Sequence, residues 1–135
     1  MDRDSWLPMR RDPAAVPLDF VVLGVLMIFS GGMDLYLIVA HPEYGIPTFG
    51  VKRTGTVGWA LKLIAPPMHF VLGYGALSGR RWAYRFLMLY SLYGLFNAAV
   101  NRMLLPAPHR IRTVFLIGTL IFIGYLYIRR ERFKN

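Results

Sequence analysis

Four apolar runs, separated by short polar connections rich in glycine and proline, set the pattern of the 135-residue chain. Each has the roughly 20-residue length that crosses a hydrocarbon core of about 30 Å, which predicts spans at about 18–40, 57–78, 82–103 and 111–128. The stretch from Gly58 to Gly79, GWALKLIAPPMHFVLGYGALSG, is the one around which the rest is organised: it reads as a membrane helix, yet it carries Lys62, a Pro66-Pro67 pair and His69. The two prolines have no N–H, so the carbonyls of Lys62 and Leu63 lose their usual partners and a kink is expected. The short link around Ser78 to Arg81 calls for an antiparallel neighbour. The predicted fold is all-α: a polytopic integral membrane four-helix bundle, antiparallel and up-down, with a kinked second helix.

Residues 1–17 form a polar arm in which Trp6 could anchor at the headgroup level, and residues 129–135 form a basic tail. Pro17 and Asp19 suit the first turn of span one. The first apolar run is too long, and preceded by too long a polar arm, to be expected as a cleaved signal peptide.

Composition reinforces the membrane reading. A hydrophobic content of 56% with 15% aromatic residues is more than a soluble body of this size can hide from water. The excess of 16 Lys and Arg over 7 Asp and Glu would point to nucleic acid on a soluble protein. Here the charges lie between apolar runs, so anionic lipid headgroups and the positive-inside effect account for them, and no nucleic-acid partner is expected. Arg3, Arg10, Arg11, Arg80, Arg81, Arg85, Arg129, Arg130, Arg132 and Lys134 fall on the side of the termini, against Lys52, Arg53, Arg102, Arg110 and Arg112 on the other. That bias places both termini in the cytoplasm, in a bacterial inner membrane. The absence of cysteine removes disulfides, thiolate metal sites, iron–sulfur ligation and thiol catalysis.

Counting depth at 1.5 Å per residue brings Asp34, Lys62 and Asn97 to one level. A lone charge there is costly, so an Asp34–Lys62 ion pair is expected, with Asn97 and Asn101, which share a helix face, bonding nearby and supplying donors to the freed carbonyls of Lys62 and Leu63. Such a network could simply hold the bundle together. Lys62, Pro66, His69 and Gly73 also share one face, which could line a small cavity or mark a packing kink. His69 could ligate a haem or chlorin, or be a satisfied packing histidine. His41, Glu43 and His109 lie in loops that could meet, without diagnostic metal spacing, and no metal is predicted. Asp19 and Arg85 are expected to pair near the cytoplasmic face, and Arg112 to snorkel outward. Trp82 and Tyr84 read as interface anchors, and Tyr74, Tyr90, Tyr93, Tyr125 and Tyr127 as packing or interface residues. No nucleophile–base set, phosphate loop or dinucleotide fingerprint occurs, so no catalytic residue is predicted.

Met33-Asp34-Leu35 followed by a proline-rich loop, then Pro67, Tyr74, Leu77 and Gly79, then Trp82 and Tyr90-Ser91, resemble the emopamil-binding and sigma-2-receptor family over about half the chain. The resemblance implies a four-helix membrane bundle whose cavity binds sterols and lipophilic amines, with Asp34 as an acidic cavity residue. Shortly before the proline, where the family carries an acidic residue, this chain has Leu61-Lys62.

The leading expectation is a non-enzymatic accessory or scaffolding subunit of a larger membrane complex of respiratory or photosynthetic type, with other membrane subunits as partners. The alternatives are a lipophilic small-molecule or sterol-like binder or isomerase with a bundle cavity, and a small dimeric transporter.

Overall fold

A computed structural model describes residues 15–134; Trp6 and the rest of the arm up to residue 14 lie outside the described residues. The order is α1 (Leu18–Ala40), β1 (Ile46–Thr48), β2 (Val51–Arg53), α2 (Gly55–Leu77), α3 (Arg81–Leu104) and α4 (Arg110–Arg129), closed by a 3-10 turn at Arg130–Arg132. Every helix begins and ends within two residues of its predicted span. Three of the four, α1, α2 and α4 with its closing turn, are long and apolar enough to cross a membrane. The third helix, α3, carries Arg81, Arg85, Asn97, Asn101 and Arg102 and falls below that measure.

Local chemistry sets the helix ends. Pro42 stops α1, whose last orphan carbonyls are partly met by the His41 N–H bonding Leu37. Gly79 ends α2 in a left-handed conformation at φ +60, with its own N–H on Ala76 and that of Arg80 on Gly75. This is the paired bonding of a Schellman cap, and it turns the chain directly into α3. Between those ends α2 runs through Pro66 and Pro67 as one helix.

The helices pack as two pairs. Contact is closest between α1 and α2 and next closest between α3 and α4. The first pair crosses at Gly24 and Gly73, where the backbone of each helix lies against the other. Both pairs join at one end around Phe20, Leu23, Leu72, Ala76, Leu87 and Leu126. Phe133 completes that core, its ring stacked on Phe20 at 4.1 Å between centroids. The segment expected as a basic tail is therefore docked: the Arg81 N–H donates to the Lys134 carbonyl at 2.7 Å and the Lys134 N–H to Gly79 at 2.8 Å.

Asp19 sits at this end too, but the expected partner is replaced. Arg129 grips both carboxylate oxygens at 2.6 and 2.7 Å, and the Tyr125 hydroxyl donates at 2.7 Å. The end of α4 meets the first turn of α1, whereas Arg85 stands exposed on α3. Tyr84 packs against Phe133 and Trp82 lies over Gly75, so the two expected anchors contact α2 and the docked tail. Arg112 donates to the carbonyls of Leu105 and Pro106, which caps the turn after α3.

At the opposite end, the connection expected as an irregular loop contains an antiparallel hairpin pairing Ile46 with Arg53 and Thr48 with Val51. Its two-residue turn holds Phe49 at φ +47 and Gly50 at φ +80, the signature of a type I′ turn. For Phe49 that conformation costs about 1 kcal/mol, so something must hold it there.

Candidate functional site

Asp34 on α1 meets His69 on α2, not Lys62. The Asp34 Oδ2 lies 2.5 Å from His69 Nδ1, and the Tyr90 hydroxyl on α3 lies 2.9 Å from His69 Nε2. Three helices thus contribute one residue each to a continuous hydrogen-bonded relay. The side chains are partly sheltered, with 13% of His69 and 27% of Asp34 exposed. The Asp34–His69 contact is as short as a charge-assisted bond, and it fixes the ring orientation. The Tyr90 ring meets the imidazole edge-on at 5.4 Å. Both imidazole nitrogens are engaged, so an axial bond to a haem or chlorin would require His69 to release Tyr90.

Lys62 is only 7% exposed and is satisfied elsewhere. Its ammonium donates to the Pro42 carbonyl at 2.6 Å and sits 5.1 Å from the centre of the Trp59 ring. It ties the start of α2 to the loop leaving α1.

Asn97 and Asn101 likewise have a different task from the one expected. The Phe49 N–H donates to Asn97 Oδ1 at 2.7 Å and the Gly50 N–H to Asn101 Oδ1 at 2.6 Å. Both amide nitrogens return a bond to the Pro47 carbonyl, at 3.3 and 3.1 Å. The pair clamps the strained turn onto α3, and the Phe49 ring packs against Tyr93 and Phe96. The carbonyls of Lys62 and Leu63 therefore receive no donor from these asparagines. Replacing Asn101 by leucine leaves the Gly50 N–H unpaired, a local cost of about 1–3 kcal/mol. Hydrogen exchange at Phe49 and Gly50 should then accelerate by at least tenfold while the core amides near Leu126 keep their protection; unchanged exchange at the turn would show that the clamp is not what holds it.

Between the two helix pairs lies a cavity of about 830 Å³. Its long walls are apolar and aromatic, including Ile64 and Met68 of α2, Phe86 of α3, and Phe115 and Phe122 of α4. The hairpin residues Ile46 and Thr48 border it toward one end, and the Phe20 core lies toward the other. His69 and Tyr90 form part of the wall; Asp34 stands behind His69. Gly94 and Gly118 also face the cavity, and a Cβ built on either meets no atom within 4 Å. No protein-family model, curated protein or solved structure matches this chain.

The remaining residues singled out above do not converge. His41 and Glu43 approach to 3.6 Å in the open loop, without His109, and no metal-binding group of three such side chains occurs among the described residues. Pro66 is buried in α2 and Pro67 is exposed. Tyr90, expected as a packing or interface residue, is instead bonded to His69; nothing in the α3 pattern distinguishes it from its neighbouring tyrosines. The hairpin did leave a signal, two short strand-like stretches around Phe49-Gly50 with glycine at the second turn position.

Proposed function

We propose that the chain is an integral membrane protein of four antiparallel, up-down helices with both termini cytoplasmic, and that it binds a lipophilic small molecule between the α1–α2 and α3–α4 pairs. The observation that carries this reading is the cavity of about 830 Å³, within the 300 to 1,000 Å³ range typical of small-molecule sites. Apolar walls and a single polar cluster match the usual design of such sites, in which a few polar groups fix orientation. The resemblance to the emopamil-binding family points the same way. For α3, whose polar residues lower its hydropathy, the hairpin clamp accounts for Asn97 and Asn101, and Arg81, Arg85 and Arg102 sit near the helix ends, where long side chains reach the headgroups.

The test fills the cavity. Because a Cβ on Gly118 enters open space, Gly118→Phe should fold as the wild type while weakening binding of a lipophilic probe such as fluorene by about tenfold or more, at least 1.4 kcal/mol. Saturable binding in nanodiscs that Gly118→Phe leaves unchanged would place the probe elsewhere. Copurification in fixed stoichiometry with another membrane protein, with no saturable binding, would favour the accessory-subunit reading.

A further inference from the structure

Most polar groups in the cavity wall already have their protons committed. The hydroxyls of Ser30, Ser91 and Thr119 each donate to the carbonyl four residues back on their own helix, at 2.9, 2.7 and 2.7 Å. The amide of Asn97 is held by Pro47, and the Thr48 hydroxyl is directed at Ile46. No Asp, Glu, Lys or Arg is among the cavity-lining residues. The donors the wall can still offer a ligand are the phenols of Tyr90 and Tyr93 and the second amide N–H of Asn97, and of these only Tyr90 is backed by a hydrogen-bonded relay.

Whether Tyr90 offers a proton or a lone pair depends on the proton count of the relay. With Asp34 ionised and His69 neutral, the trio carries one negative charge. Tyr90 must then donate to Nε2, and its lone pairs face the cavity. One further proton makes the trio neutral: Nε2–H donates to the phenol oxygen, and the Tyr90 O–H is freed toward the cavity. A carboxylate held between membrane helices without a countercharge costs a few kcal/mol, which favours the neutral trio; the short Asp34–His69 contact is charge-assisted at either proton count. Wherever the proton rests between Asp34 and Nδ1, the outcome at Tyr90 is the same.

Resting on the binding role proposed above, we infer that the cavity selects a neutral lipophile bearing a carbonyl oxygen, a flat ketone or quinone, which accepts the hydrogen bond of Tyr90. His69 and Asp34 act behind it as positioning residues, fixing the phenol and polarising its O–H. The rings of Phe86, Phe115 and Phe122 suit a planar ring system. A protonated amine finds no anion in this wall, because His69 covers Asp34.

Fluorenone and its hydrocarbon isostere fluorene test this with the full-length protein in nanodiscs. Fluorenone should bind about tenfold more tightly than fluorene, the worth of one good hydrogen bond. Its carbonyl stretch, read by isotope-edited infrared spectroscopy, should move to lower wavenumber on binding. Tyr90→Phe, which keeps the ring, should abolish both the preference and the shift, while Tyr93→Phe retains them. Equal, saturable binding of the two compounds, or a preference that survives Tyr90→Phe or is lost with Tyr93→Phe, overturns the inference and leaves the binding role standing. No saturable binding of either compound overturns both.

Discussion

In the membrane setting proposed above, replacing His69 by leucine is expected to destabilise the protein by about 3 kcal/mol, the scale of an aspartate left without a partner inside a spanning helix. The substitution removes the partner that meets Asp34 at 2.5 Å and leaves the carboxyl group in a site lined by apolar helices, where it must either remain charged at that cost or take up a proton. Asp34→Leu is expected to cost less, about 1 kcal/mol, because the imidazole left behind can stay neutral and keep its bond to Tyr90. The double replacement Asp34→Leu with His69→Leu should recover most of the loss, since a buried pair exchanged for apolar side chains of similar size is often close to neutral. Reversible unfolding in mixed micelles across the four proteins gives the coupling energy directly. A loss for His69→Leu no larger than that for Asp34→Leu would overturn this ordering and show that Asp34 carries no charge needing compensation by His69, which places the proton of the neutral trio on the carboxyl group.

The ordering of these variants also explains why the sequence pointed to Lys62 instead. Apolar length and Gly-Pro punctuation located the four helices to within two residues, because they dominate those boundaries, and depth was then counted from the span ends. The same counting put Asp34 level with Lys62, but it follows Cα positions and ignores side-chain direction. Side chains lean toward the N-terminus of their own helix. In the antiparallel arrangement proposed here, Asp34 therefore leans toward the Phe20 end, while His69 leans back to meet it. Lys62, on the same helix as His69, leans in the same direction, which carries it away from Asp34 and out to the carbonyl of Pro42. The same limitation hid the role of Asn97 and Asn101: their shared face was legible, but their partners are backbone groups of a turn, Phe49, Gly50 and Pro47, which carry no side-chain signal. Tyr90 and Arg129 were invisible for a related reason, since each is one of several like residues on its helix and only the packing of distant helices selects it.

Packing of the first helix pair governs the second large effect. Gly73→Leu should abolish the folded state, and Gly73→Ala should cost about 1–3 kcal/mol, the usual scale for forcing extra volume into a filled contact. A Cβ on Gly73 would lie 2.7 Å from the Ile28 side chain and 2.9 Å from the Gly24 carbonyl, and one on Gly24 would lie 2.8 Å from the Gly73 carbonyl. Ile28 could turn aside, but a helix carbonyl cannot, so the helices must part. In the membrane proposed for this chain, close approach of small residues is itself a principal source of helix association, and parting would therefore sacrifice much of the α1–α2 contact. Gly94→Ala provides the control, because its Cβ meets nothing and alanine gains up to about 1 kcal/mol of helix propensity. Unfolding free energies should thus rank Gly94→Ala at or above the wild type and Gly73→Ala well below it. Because Asp34 and His69 span this same pair of helices, a separation that lengthens their contact should also diminish the Tyr90-dependent preference for fluorenone over fluorene in any Gly73→Ala protein that still folds. A Gly73→Ala variant as stable as Gly94→Ala would show that the crossing is looser than its backbone contacts indicate.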